Sequence, residues 1–95
     1  MSAFEIKRTE TDTGGRYHVT IDGHEAEMTY SRAGTSTIII DHTGVPKALS
    51  GQGVGQALVE RGVLDARKEG RRIVPLCPYA KAQIEKHPEW QDVLK

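Results

Sequence analysis

The 95-residue chain has one cysteine, no excess of either charge and no long apolar run. Each shortage removes a class of protein. A lone Cys77 cannot close an intrachain disulfide, which favours a reducing, cytoplasmic setting. Thirteen Lys and Arg balance thirteen Asp and Glu for a formal net charge of zero. No long-range field therefore draws the protein to nucleic acid or to an anionic membrane, and neither is expected as a partner. The only basic cluster, Lys68 with Arg71 and Arg72, is short enough to be a solvated helix end. No stretch approaches the ~20 apolar residues of a membrane span, and the N-terminus lacks the apolar core of a signal peptide. The four histidines have no metal-ligand spacing to one another or to Cys77, so no metal is expected. No serine or threonine is placed as a triad nucleophile.

What is present reads as one small domain over residues 1–95, with no repeat or linker. Apolar and polar residues alternate in "AFEIKR" (3–8), "RYHVTI" (16–21) and "EAEMTYS" (25–31). Between the first two, "TETDTGG" reads as a turn-rich loop. Asp22-Gly23 suits a two-residue hairpin turn, and Ala33-Gly34-Thr35 a second reversal. "STIIIDH" (36–42) has three consecutive isoleucines, the pattern of a strand covered on both faces. After Val45-Pro46 the period changes. Val54, Leu58, Gly62 and Ala66, widened by Val59 and Val63, make an apolar helical stripe within 51–69. Gly70 suits its C-terminal cap, with Arg67 and Lys68 at the negative end of its dipole. "RRIVPLC" is a short strand, and a second helix runs from Pro78 until Pro88 stops it. Trp90 and Leu94 are expected to dock the tail. The order β-β-β-β-α-β-α predicts an α+β fold: an antiparallel four-stranded meander, a helix, a fifth strand and a C-terminal helix.

The stretch "ALSGQGVGQALVERG" puts three glycines, Gly51, Gly53 and Gly55, at the mouth of the longest helix. A glycine-rich loop opening a helix exposes backbone N–H groups with no intrahelical partner, at the positive end of the dipole, and suits an anion such as phosphate. The bland alternative is a flexible turn. A P-loop would need Gly-Lys-Ser/Thr, whereas Gly55 is followed by Gln56-Ala57. A dinucleotide fold would need this loop after the first strand of a parallel βαβ array, with an acidic residue ~20 positions on. Neither fits.

The run "VPKALSGQGVGQALV" resembles the coenzyme A signature of the GNAT superfamily of acetyltransferases, Gln/Arg-x-x-Gly-x-Gly/Ala after a valine and a proline. Gly53 and Gly55 take the small positions, Val45-Pro46 the upstream pair, and Ser50 stands where glutamine or arginine is usual. "CPYAKAQIEK" is similar to the superfamily's Asn-x-x-Ala-x-x-x-Tyr-x-Lys, with Ala80 and Lys86 in place, Cys77 at the asparagine and Ile84 at the tyrosine. The wording "VPLCPY…I…HPEW" looks like the compact YjdJ-like subgroup. The resemblance implies a GNAT-like fold whose fifth strand splays from the fourth. It also implies acetyl-coenzyme A as cosubstrate, lying in the splay with its pyrophosphate on the Gln52–Ala57 amides. The cofactor-binding residues it implies are Val45, Ser50, Gly51, Gln52, Gly53, Val54, Gly55, Gln56, Ala57, Pro78 and Tyr79.

Transfer to an amine requires a neutral acceptor, a donor for the oxyanion and a proton for the departing thiolate. Superfamily members often supply that proton from the tyrosine that Ile84 replaces. Cys77 is the candidate substitute. It sits at a helix N-cap, with Pro78 at the first helical position and no Asp or Glu in the turn that follows, where a thiol becomes more acidic. It could serve as the acid or as a nucleophile carrying the acetyl group; an inert buried cysteine is the plain alternative. His42, at the end of the fourth strand, is expected across the splay from Cys77, as a base for the amine or the thiol; a solvated strand-end histidine is its alternative. His18 and His24 read as exposed and His87 as a helix-end residue. Tyr79 could lend a hydroxyl or simply pack.

Larger superfamily members insert helices between the first two strands as a wall of the acceptor cleft, and here only "TETDTGG" is available. An open, shallow acceptor side follows, suited to a small amine, a protein lysine or a protein N-terminus. The reading is an acetyl-coenzyme A-dependent N-acetyltransferase. The alternatives are a non-catalytic acyl-coenzyme A binder or sensor, and an interaction module whose glycines only turn the chain. A monomer is expected, with a dimer left open.

Overall fold

The computed structural model describes residues 4–95. Its strands are β1 (Lys7–Glu10), β2 (Gly14–Ile21), β3 (His24–Ala33), β4 (Thr37–Gly44) and β5 (Arg72–Pro75). Two helices, α1 (Val54–Glu69) and α2 (Pro78–Lys86), follow β4 and β5. Short 3₁₀ segments over Lys47–Leu49 and Pro88–Val93 complete the order. The five strands form one sheet in sequence order, antiparallel from β1 to β4, with β5 parallel to β4. The α+β reading is therefore correct, and β5 is the fifth strand. No described helix is long and apolar enough to cross a membrane.

Asp22 (φ 51°) and Gly23 (φ 78°) make the two-residue turn between paired Ile21 and His24, as their sequence preference requires. At the other end Gly70 caps α1 in the left-handed region, φ 71°. The first strand departs from expectation. Of residues 3–8 only Lys7 and Arg8 belong to it; Ala3 lies outside the described residues, and the chain turns before Ile6, whose amide donates to the Phe4 carbonyl (3.1 Å). β1 instead takes in Thr9 and Glu10, from the expected loop, and Gly14 and Gly15 belong to β2. Those glycines serve close packing. A Cβ on Gly14 would lie 2.3 Å from the Tyr30 carbonyl oxygen, and one on Gly15 would lie 2.4 Å from the Tyr30 hydroxyl.

Alternation puts Tyr17, Val19, Ala26, Met28, Tyr30, Ile38, Ile40 and Ile73 on one face, where they join the buried stripe of α1 and Ala80, Ile84, Trp90 and Val93 in one core. Val54, Leu58, Val59 and Val63 are each essentially buried, an arrangement that contributes about 1.5–3 kcal/mol per side chain. The opposite face is not covered. Ile39 is only half-buried, and Arg16, Glu25, Glu27, Ser31 and Asp41 on that face are half-buried or exposed. The isoleucine run is thus covered on one face, because the core holds a single layer of helices. Trp90 docks the tail and stacks on His87 at 3.9 Å, but Val93 is the deeper anchor beside it, while Leu94 is partly buried and bridges Ile73.

Charges fasten the far end of α1 to the sheet. The Arg8 guanidinium contacts Glu10 (2.8 Å), Asp65 (3.4 Å) and Glu69 (2.5 Å) and lies over the rings of Tyr17 and Tyr30. Tyr30 donates to Glu10 at 2.6 Å, and Tyr17 donates to Asp65 at 2.9 Å. The Tyr30 hydroxyl first, then Arg8 and Arg32, hold the Glu10 carboxyl down at about 2 despite an opposing effect of burial. The hydrogen bond from Arg8 likewise lowers Glu69.

Both carboxyls are depressed in the folded chain, so their contribution is present above the ordinary carboxylate pKa and is lost as pH falls through the folded one. Thermal stability should fall from about pH 4.5 downward. Glu10→Gln should lower the melting temperature by several degrees at pH 7, and by progressively less toward pH 2, where the native carboxyl is itself protonated. Melting curves across that range check this; a gap independent of pH would contradict it.

Candidate functional site

The site begins where β4 and β5 part. Their ladder ends at Ile40 opposite Pro75. The Ile40 carbonyl accepts hydrogen bonds from both Leu76 N–H (3.1 Å) and Cys77 N–H (3.0 Å), and beyond it the two chains diverge. β4 continues along β3, while the other chain enters α2 with Cys77 as N-cap and Pro78 in its first turn. The predicted splay is present, with Cys77 at its edge.

A bulge then re-aims the side chains of β4. Tyr30 pairs with Ile40 and Thr29 with His42, so Asp41 is the extra residue. One inserted residue reverses the alternation that follows. Thr43, paired with Met28, turns to the covered face, and His42, paired with Thr29, turns to the open one. His42 is exposed. The residue that meets Cys77 is Thr43, whose hydroxyl oxygen is 3.5 Å from the Cys77 sulfur. The expectation that His42 faces Cys77 across the splay is corrected here, and the bulge is the reason. Asp41 accepts from the Ser31 hydroxyl at 2.6 Å on the open face.

Cys77 is 6% exposed. Burial pushes its thiol up, but hydrogen bonding, first with the Thr43 side chain, outweighs it, and the net shift is downward. Cys77 is the N-cap residue of α2, and its side chain makes no capping hydrogen bond there. Ile84 is fully buried in the core.

The glycine-rich loop forms the second half of the site. Gly51 and Gly53 take φ of 81° and 78°, conformations that a Cβ disfavours. Gly53 is the N-cap of α1 and offers no side-chain cap, and the first turn has no acidic residue. The amides of Gln52, Gly53, Val54, Gly55 and Gln56 have no backbone acceptor among the described residues, whereas Ala57 N–H is closed on the Gly53 carbonyl (3.0 Å). The open run is therefore one residue shorter than expected. The Ser50 hydroxyl is taken up by the Lys47 carbonyl (2.8 Å). Val45, Leu49, Ser50, Gly51, Gly53, Val54, Gly55 and Tyr79 line a cavity of about 210 Å³ at this loop. Tyr79 lies over Gly55: a Cβ there would be 2.4 Å from its hydroxyl. Gln52, Gln56 and Pro78 are exposed and lie outside that lining.

A larger hollow of about 460 Å³ lies by Phe4, Lys7, His18, Thr20 and Glu25. It adjoins the edge of the sheet away from the splay; the smaller cavity instead holds the start of α1 and Tyr79, although Cys77 is outside its lining. His18 lies 3.4 Å from the Thr9 hydroxyl, and His87 is 2.8 Å from the Gln83 carbonyl. No cluster of three or more metal-binding side chains occurs among the described residues. Sequence reasoning missed Leu49 and Thr43; nothing in the pattern "STIIIDHTG" announces the bulge that selects Thr43.

Bare amides, a glycine loop without an acidic neighbour and an adjoining cavity lined by Val45, Leu49 and Val54 fit a ligand with a diphosphate and an apolar arm. Comparison with known proteins agrees. The family profile described as GCN5-related N-acetyl-transferase matches residues 16–93. An NMR structure from Staphylococcus aureus, described as GCN5-like with N-acetyltransferase as its proposed activity, is 38% identical, with a TM-score of 0.76. That alignment covers 100% of this chain and 91% of the other. Among curated proteins none matches significantly. With its fold, its loop and these matches in agreement, the chain belongs to the GCN5-related N-acetyltransferase family.

Proposed function

We propose that the protein is an acetyl-coenzyme A-dependent N-acetyltransferase acting on a primary amine of a small molecule or a protein, in the cytoplasm. The observation that carries this reading is the run of open amides from Gln52 to Gln56 beside the cavity lined by Val45, Leu49, Val54 and Tyr79. These amides hold the pyrophosphate, with the Tyr79 hydroxyl as a further donor. Val45, Leu49 and Val54 offer apolar surface to the arm that follows. Acetyl-coenzyme A supplies a thioester already activated for attack by an amine.

The chain's own groups then divide the work by face. On the covered face Cys77, with its lowered pKa, stands beside the splay. It either returns a proton to the departing thiolate or, as a thiolate, takes the acetyl group onto its sulfur and passes it to the amine. The open face, to which His42 is turned, is left to the acceptor. The acceptor approaches there past exposed Leu76, over a sheet that no second helical layer covers.

Acetyl-coenzyme A at ~100 times its dissociation constant should stabilise the protein by about 2.7 kcal/mol, read as a rise in melting temperature. Gly53→Val should abolish that rise, because it forces a branched side chain into a left-handed backbone at the phosphate loop. An unchanged rise would remove the loop from the site. Cys77→Ala should cut release of free coenzyme A with an amine panel at least tenfold while the thermal shift persists; parallel loss of both would make the cysteine structural. Mass spectrometry of the protein after acetyl-coenzyme A alone separates the two roles, since only the carrier retains acetyl on Cys77.

A further inference from the structure

The bulge at Asp41 decides which side chain meets the only thiol. A regular strand would bring His42 to the covered face, and the extra residue brings Thr43 instead. The thiol thereby gains a neutral partner in place of a titrating one. The contact is 3.5 Å from Cys77 Sγ to Thr43 Oγ1, between a buried sulfur and a half-buried hydroxyl.

We propose that Thr43 is the positioning residue for the Cys77 proton, holding the sulfur beside the splay and stabilising its thiolate. In the thiol state the S–H donates to the Thr43 oxygen. When the proton leaves to solvent or to a base, the Thr43 hydroxyl turns and donates its own hydrogen to the sulfur. A hydroxyl can do both because it is donor and acceptor at once. Cys77 is also the N-cap residue of α2, and the positive end of that helix favours the same charged state. This inference rests on the reading of Cys77 as the reactive group.

The surroundings contain little else that could set the proton. On β4, His42 faces away from the thiol. α2 contributes Tyr79, whose phenol is pushed up by burial and then by the charge of Cys77, so it stays neutral as the thiol titrates. The first turns of α1 and α2 have no acidic residue. From β5 the adjoining residue is Leu76, which has no charge.

A single cysteine allows the thiol to be followed alone, by the ¹³Cβ shift of Cys77 in protein labelled at cysteine. In the wild type its midpoint should fall below the ordinary thiol value. Thr43→Val, nearly the same shape without the hydroxyl, should raise the midpoint by about one pH unit, a roughly tenfold loss of thiolate below it. Thr43→Ser should stay within a few tenths of wild type, and Thr43→Ala should follow valine, keeping the test available if valine packs badly. All three variants should keep the thermal shift with acetyl-coenzyme A, because the phosphate amides lie elsewhere. A midpoint unmoved by valine and alanine, or a serine variant that moves with them, would overturn the assignment. The titration needs no turnover. Loss of the hydroxyl dependence therefore defeats this inference alone, whereas a wild type that neither binds nor consumes acetyl-coenzyme A defeats the proposed function.

Discussion

One carbonyl oxygen organises the site. Ile40 accepts from Leu76 and Cys77 together, which closes the parallel ladder and leaves the next residues of β4 without a partner on that side. In an uninterrupted parallel sheet each carbonyl would receive one regular bond and the strands would stay 4.7–4.9 Å apart. Here the doubled bond marks the point at which one chain becomes the start of α2 while the other runs on beside β3. The gap, the N-terminal amides of α2 and the position of the thiol all follow from that divergence.

α1 shows a division along its own length. Its C-terminal half is tied to the sheet by Arg8, Asp65, Glu69 and the tyrosine hydroxyls, and its last turn is closed by Gly70. Its N-terminal end has no side-chain cap and no acidic residue, although a Ser, Thr or Asp cap would contribute about 1 kcal/mol of stability. The buried stripe from Val54 to Ala66 holds the helix regardless, so the capping groups at one end can stay open. Stability and ligand contact thus draw on opposite ends of the same element.

Much of this was legible in the sequence because it depends on local pattern. Alternation located β2 and β3, the isoleucine run β4, Asp22-Gly23 the register of the β2–β3 pair, and the period of Val54, Leu58, Gly62 and Ala66 α1. The glycine loop and the resemblance built on it identified the cavity residues. The failures share a cause: each depends on a neighbour distant in sequence. Gly14 and Gly15 look like turn residues until Tyr30 lies against them. The isoleucine run looks doubly covered because sequence does not reveal that a layer of helices is absent. His42 looked like the partner of Cys77 because a period of two was assumed through a strand whose bulge is set by pairing with β3. Ser50 and Ala57 look open to a ligand in the sequence, but the hydroxyl of one and the amide of the other bond within the chain.

The uncovered face of the sheet has a chemical consequence. Enclosed transfer sites protect an activated acyl group by shutting out the solvent that would hydrolyse it. A sheet with helices on one side only has no such shutter, and Arg16 paired with Glu25 and Glu27 keeps its bare side hydrated. In the reading proposed above, selectivity for nitrogen over oxygen must then come from intrinsic nucleophilicity: an uncharged amine outruns bulk solvent at a thioester without being sealed in with it.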